Sequence, residues 1–98
     1  MKYSDVINAE RRLVILKLLD KAPGYRSSDY VLQSALPGVG HDASIDMIRT
    51  DLAWLQEQGL LNVEMAGPVQ IAKLTQRGVD VANGRALVPG VKRPGPDD

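Results

Sequence analysis

Between Ser44 and Leu74 the apolar spacing changes its period, and Gly59 marks the change. Upstream, Ile45, Ile48, Leu52 and Leu55 fall at i, i+3, i+7 and i+10, which is one face of a helix. Glycine is the usual residue just past a helix end, where the backbone turns left-handed. Downstream, Leu61, Val63 and Met65 alternate with Asn62 and Glu64. Gly67-Pro68 is a turn signal, and Val69–Lys73 alternates again. Two short alternating runs around a tight turn predict a β-hairpin. A helix that stops at a glycine and feeds a hairpin is a strong restriction on a short chain.

The flanking sequence adds three more helices. Ser4 or Asp5 can cap a first one that runs to about Lys21, where Ala22-Pro23-Gly24 ends it. Leu13, Val14, Ile15, Leu16, Leu18 and Leu19 surround its axis almost completely, so it must be buried on more than one side. It is either a central core helix or a helix that also meets a second subunit. Ser27 or Ser28 caps a second helix, Asp29 to Leu36, stopped by Pro37-Gly38-Val39-Gly40. Asp42 or Ser44 begins the third. Thr75 caps a fourth, to about Asn83-Gly84, docked by Val79 and Ala82. Residues 1–87 thus read as one domain. Residues 88–98, rich in Pro and Gly, read as a flexible tail with too little apolar surface to offset chain entropy.

Composition narrows the chemistry. The 98 residues contain no cysteine, which removes disulfides and thiolate metal sites and fits a cytoplasmic protein. There is one histidine, so neither a Ser/His/Asp set nor a histidine metal site can be assembled. His41-Asp42 reads as a turn and a helix cap. Gly38-x-Gly40 lacks the lysine and preceding strand of a phosphate loop. Lys92-Arg93 reads as solvated charge. The apolar run Leu13–Leu19 is interrupted by Lys17 and too short to span a bilayer. No catalytic constellation, cofactor or metal is expected, and the chain is not read as an enzyme.

The order helix, helix, helix, hairpin, helix is that of a winged helix-turn-helix: mainly α, with a three-helix core, a two-stranded wing and a C-terminal helix. Leu52-Ala53-Trp54-Leu55-Gln56-Glu57-Gln58-Gly59-Leu60-Leu61 resembles the end of the third helix in ArsR- and MarR-type regulators. Leu74-Thr75-x-x-Gly78 is similar to the segment that leaves the wing in many of them. With Gly84-Arg85-Ala86-Leu87-Val88-Pro89-Gly90-Val91, the chain also resembles a small ArsR-like protein of Mu-like phages and prophages. The resemblance implies a DNA-binding transcriptional regulator, a homodimer through the first helix, with double-stranded DNA as partner. It does not carry over metal sensing, because the cysteines are missing.

In a DNA-binding winged helix the third helix enters the major groove and the wing touches the backbone or minor groove. Here the outward face would hold Asp46, Met47, Thr50, Ala53, Trp54 and Glu57, with Arg49 on the flank. Ser44, Met47, Arg49 and Thr50 are the candidate base or phosphate contacts, with Lys73 from the wing; Arg49 could pair bidentately with guanine. Charge opposes this reading. Residues 27–68 hold one basic residue, Arg49, against Asp29, Asp42, Asp46, Asp51, Glu57 and Glu64, a net of −5, while the whole chain is neutral. Nucleic-acid affinity rests heavily on phosphate neutralisation. Trp54 lies about 160° around the helix from Leu52. Either the wing or tail folds over it, or Trp54, Met47 and Ala53 form a patch for a protein partner. Two functions stay open: DNA binding, or a protein-interaction module that kept the fold.

Overall fold

A computed structural model describes residues 2–96. Helix α1 spans Tyr3–Lys21, strand β1 Arg26–Ser28, helix α2 Asp29–Ala35, helix α3 Ile45–Glu57, strands β2 and β3 Leu61–Ala66 and Val69–Leu74, and helix α4 Gln76–Ala82. The winged-helix order is therefore present. Three of the helix starts have side-chain caps that satisfy otherwise orphaned N–H groups. Ser28 accepts from the Val31 N–H, Ser44 from Met47 and Thr75 from Gly78. The start of α1 follows Lys2 and has no side-chain cap, so neither Ser4 nor Asp5 fills that role. Gly59 ends α3 with φ +76°.

The sheet has three strands, in the order β1-β3-β2, both pairs antiparallel. The hairpin is where the alternation put it. Strand β1 was not expected. It is only three residues long and polar, and its pairing with Lys73, Ala72 and Ile71 is set by the partner strand. Along the hairpin, Leu61, Ala72 and Leu74 are buried on the core face. The opposite face carries Arg26, Lys73 and Asn62 in one row and Ser28, Ile71 and Glu64 in the next. Strand β2 is an edge, and the Val63 N–H there donates to Gln56 Oε1 at 2.7 Å.

The core is aliphatic. Ile15, Leu16 and Leu19 of α1 meet Leu32, Ile48, Leu52, Leu55, Leu60 and Leu61. Within this one chain α1 touches α4, β3 and the 3-10 turn at Leu36–Val39, which accounts for much of its all-round apolar character. Val14 and Leu18 stay half-buried.

The last segment corrects an expectation. Residues 88–98 read as flexible; residues 97 and 98 lie outside the described residues, and Val88 to Lys92 lie against the domain. Val88 is buried in the core, Val91 packs against it, and the Lys92 N–H donates to the Ala9 carbonyl at 3.1 Å. The entropy argument counted the apolar side chains of the segment alone. Two valines joining a core already built, with backbone groups satisfied by α1, need far less surface.

Candidate nucleic-acid interface

Helix α3 is held by its apolar face. Ile48, Leu52 and Leu55 are fully buried, and Ile45 at the first turn is half-buried. The opposite stripe exposes Ser44, Asp46, Met47, Thr50, Ala53 and Glu57. Two of its polar groups are occupied locally. Ser44 Oγ caps the helix, and Thr50 Oγ1 donates to the Asp46 carbonyl at 3.0 Å. Met47 is exposed.

Arg49 is not part of that stripe. Its Nε donates to Asp29 Oδ2 at 2.8 Å, and its Nη2 to the Pro68 carbonyl at 3.0 Å. Its guanidinium also stands 5.8 Å from the Tyr30 ring. The hydrogen bond to Asp29, followed by that carboxylate's charge, raises the Arg49 pKa further. One side chain on α3 thus ties the start of α2 and the turn of the wing together. A bidentate guanine contact would require Arg49 to leave both partners. As it stands, Arg49 positions the elements around α3.

Asp51 and Trp54 have inward roles as well. Asp51 is buried and accepts from Arg11 Nε at 2.5 Å and from Arg12 Nε at 3.3 Å. The Arg12 guanidinium stacks 4.1 Å from the centre of the Trp54 ring and donates to the Gly90 carbonyl at 3.1 Å. Gly90, with φ +100°, lies so close to the indole that a Cβ there would stand 2.6 Å from Trp54 Cζ2. Trp54 is therefore sandwiched between Arg12 and the last segment of the chain. It is half-buried and packed on the core, and it does not stand clear as the centre of a patch with Met47 and Ala53. Those two remain exposed without it.

These contacts change the charge count made on the sequence. Two of the six carboxylates in residues 27–68, Asp29 and Asp51, are internal and paired. Asp42, Asp46, Glu57 and Glu64 are the exposed ones. The pairing also consumes Arg11, Arg12 and Arg49, so α3 presents no unpaired cation. Lys73 projects from the outer face of the sheet, beside Arg26 and Asn62. Arg11, Arg12 and Asp29 were missed as architectural residues. Their signal, charged residues inside otherwise apolar helix faces, is faint without knowledge of which elements meet. His41 is buried, with Nε2 3.6 Å from Glu10 Oε1. Among the described residues no three His, Asp or Glu side chains gather to hold a metal ion. No helix among them is long and apolar enough to cross a membrane.

The gp26 protein of Escherichia phage Mu is 43% identical over 93 residues, covering 95% of this chain and 96% of that protein. The chain belongs to the phage Mu gp26 family. An uncharacterized protein of Haemophilus influenzae, 40% identical over 78 residues, covers 79% of this chain and 76% of its own length. The gp26 match agrees with the resemblance to a small protein of Mu-like phages. No protein-family model matches the sequence. Among solved structures, a transcriptional regulator from Clostridium thermocellum superposes with a TM-score of 0.67 over 85% of this chain and 82% of its own. At 17% identity that likeness concerns the fold alone. This gp26-family member therefore has a regulator-like winged-helix fold.

Proposed function

We propose that this gp26-family protein is a winged-helix DNA-binding protein that acts as a transcriptional regulator of a phage or its bacterial host, of the broad ArsR and MarR type. The observation that carries the proposal is the presentation of α3. Arg49 fixes it between α2 and the wing turn, and Ser44, Met47 and Thr50 line its exposed stripe. Such a helix fits the major groove, and its short side chains suit base edges and thymine methyls. Burial of Asp29 and Asp51 removes part of the acidity that counted against this reading. The protein would act in the cytoplasm as a homodimer through α1, with no catalytic step and no cofactor. A mobility-shift titration at low salt against fragments of the source genome tests the proposal. No shift at micromolar protein would sink it.

One observation favours a second reading, a protein-interaction module that does not bind DNA. The stripe on α3 carries Asp46 and Glu57 and no unpaired cation. The exposed side chains Met47 and Ala53 would then contact a protein partner. Capture of a partner that is lost in Met47→Asp, together with absent DNA binding, would select this reading.

A further inference from the structure

We infer that Arg26 and Lys73 form a phosphate-binding pair on the outer face of the sheet, and that this pair contacts the DNA backbone. The inference rests on the DNA-binding reading above. Arg26 and Lys73 are register partners on β1 and β3, so their Cβ atoms are neighbours roughly 5 Å apart. Like charges directly opposite one another on a sheet are unfavourable. Both side chains are exposed, and among the described residues neither has an ion-pair partner. Asn62 is the register partner of Lys73 on its other side. Arg26, Lys73 and Asn62 therefore make a row of three donor side chains across all three strands. They line a hollow of about 200 Å³ together with Ile71 and Glu64. The chemistry that relieves two facing cations and fills three donors is a phosphate oxygen group.

The backbone around Arg26 points the same way. Tyr25, with φ +59°, is the one non-glycine residue at positive φ among the described residues. It turns the chain into β1 and so sets Arg26 opposite Lys73. Such a conformation persists only where the surroundings hold it. Five other arginines are engaged, whereas Lys2, Lys21, Lys92 and Arg93 are exposed at the ends of α1 and in the last segment. Arg11, Arg12, Arg49 and Arg85 are paired with carboxylates, and Arg77 donates to the Gln58 carbonyl. Two exposed cations beside an amide donor suit the phosphates of an extended polyanion.

The test is a fluorescence-anisotropy titration of the full chain with a labelled duplex over a series of salt concentrations. For the wild type, log K falls linearly with log salt. Arg26→Gln/Lys73→Gln should reduce the magnitude of the slope by about 1.8, since each lost phosphate contact removes about 0.9. Lys21→Gln, which removes an exposed cation at the C-terminal end of α1, should leave the slope unchanged. Glu64→Gln should tighten binding. The melting temperature of the double variant should equal or exceed that of the wild type, because a like-charge pair is removed. A wild-type slope in the double variant overturns the inference while DNA binding stands. An equal drop in Lys21→Gln overturns it in favour of diffuse attraction. Failure of the wild type to bind duplex at low salt removes the DNA-binding reading, and the inference with it.

Discussion

Gly78→Ala should destabilise this domain although it improves helix propensity. Gly78 lies within α4, where alanine is favoured over glycine by about 1 kcal/mol. The structure opposes that gain. A Cβ at Gly78 would overlap the Leu60 carbonyl oxygen, and would stand 2.8 Å from Leu74 Cδ2 and 3.0 Å from Leu60 C. That carbonyl cannot step aside freely, because it accepts the Thr75 N–H at 3.1 Å. Helix α4 must retreat instead, and Val81 and Ala82 leave their seats in the core. Overpacking of this kind costs about 1–3 kcal/mol, and the strained hydrogen bond about 1 more. After the propensity gain the net loss is about 2 kcal/mol, a fall of roughly 8–16 °C in melting temperature for a domain of this size. Thermal unfolding followed by circular dichroism reads it directly. Gly38→Ala is the control, since nothing lies within 4 Å of its added Cβ. It should be neutral or slightly stabilising through the unfolded chain. A Gly78→Ala variant that melts at or above the wild type would refute the reasoning.

Asp51→Ala should cost about 3–5 kcal/mol, because it leaves the buried Arg11 without its carboxylate, and denaturant titration will show it. A loss under about 1 kcal/mol would mean that Arg11 reaches water. Gly90→Val should lift the last segment off the indole, since a Cβ there meets Trp54 and the residue has φ +100°. Acrylamide should then quench Trp54 more strongly, and an unchanged quenching constant would count against the docking. Arg49→Gln should loosen the wing turn, read as faster hydrogen exchange or proteolysis near Gly67-Pro68, with α1 protection unchanged.

The sequence motifs that pointed to the fold have a physical origin in one joint. Thr75 Oγ1 donates to the Gly59 carbonyl at 2.7 Å, the Thr75 N–H donates to Leu60, and Gly78 lets α4 lie directly on that carbonyl. Gly59-Leu60 and Leu74-Thr75-x-x-Gly78 are the two halves of this joint. That is why they were legible without coordinates. Helix periods, three caps and the hairpin were legible for similar local reasons. What stayed hidden depended on which elements meet. Strand β1 exists because β3 offers it an edge. Arg49 looked like a reader of bases because a helical wheel gives its direction and not its neighbours. The net of −5 was a sum over residues, whereas the field outside depends on which charges are paired. Residues 88–98 read as free because the surface on which Val88 to Lys92 dock is assembled from α1 and α3, far away in sequence.

The bond from the Val63 N–H to Gln56 Oε1 has a consequence for behaviour at high concentration. An unpaired strand edge is a template on which another chain can polymerise. Here a single carboxamide from the preceding helix occupies a donor in the first half of β2, so an incoming strand would have to displace it before it could zip along the hairpin. The outward carbonyls nearer the turn keep no such guard. Colloidal stability of the folded protein therefore hangs, at that edge, on one side chain that contributes nothing to the core.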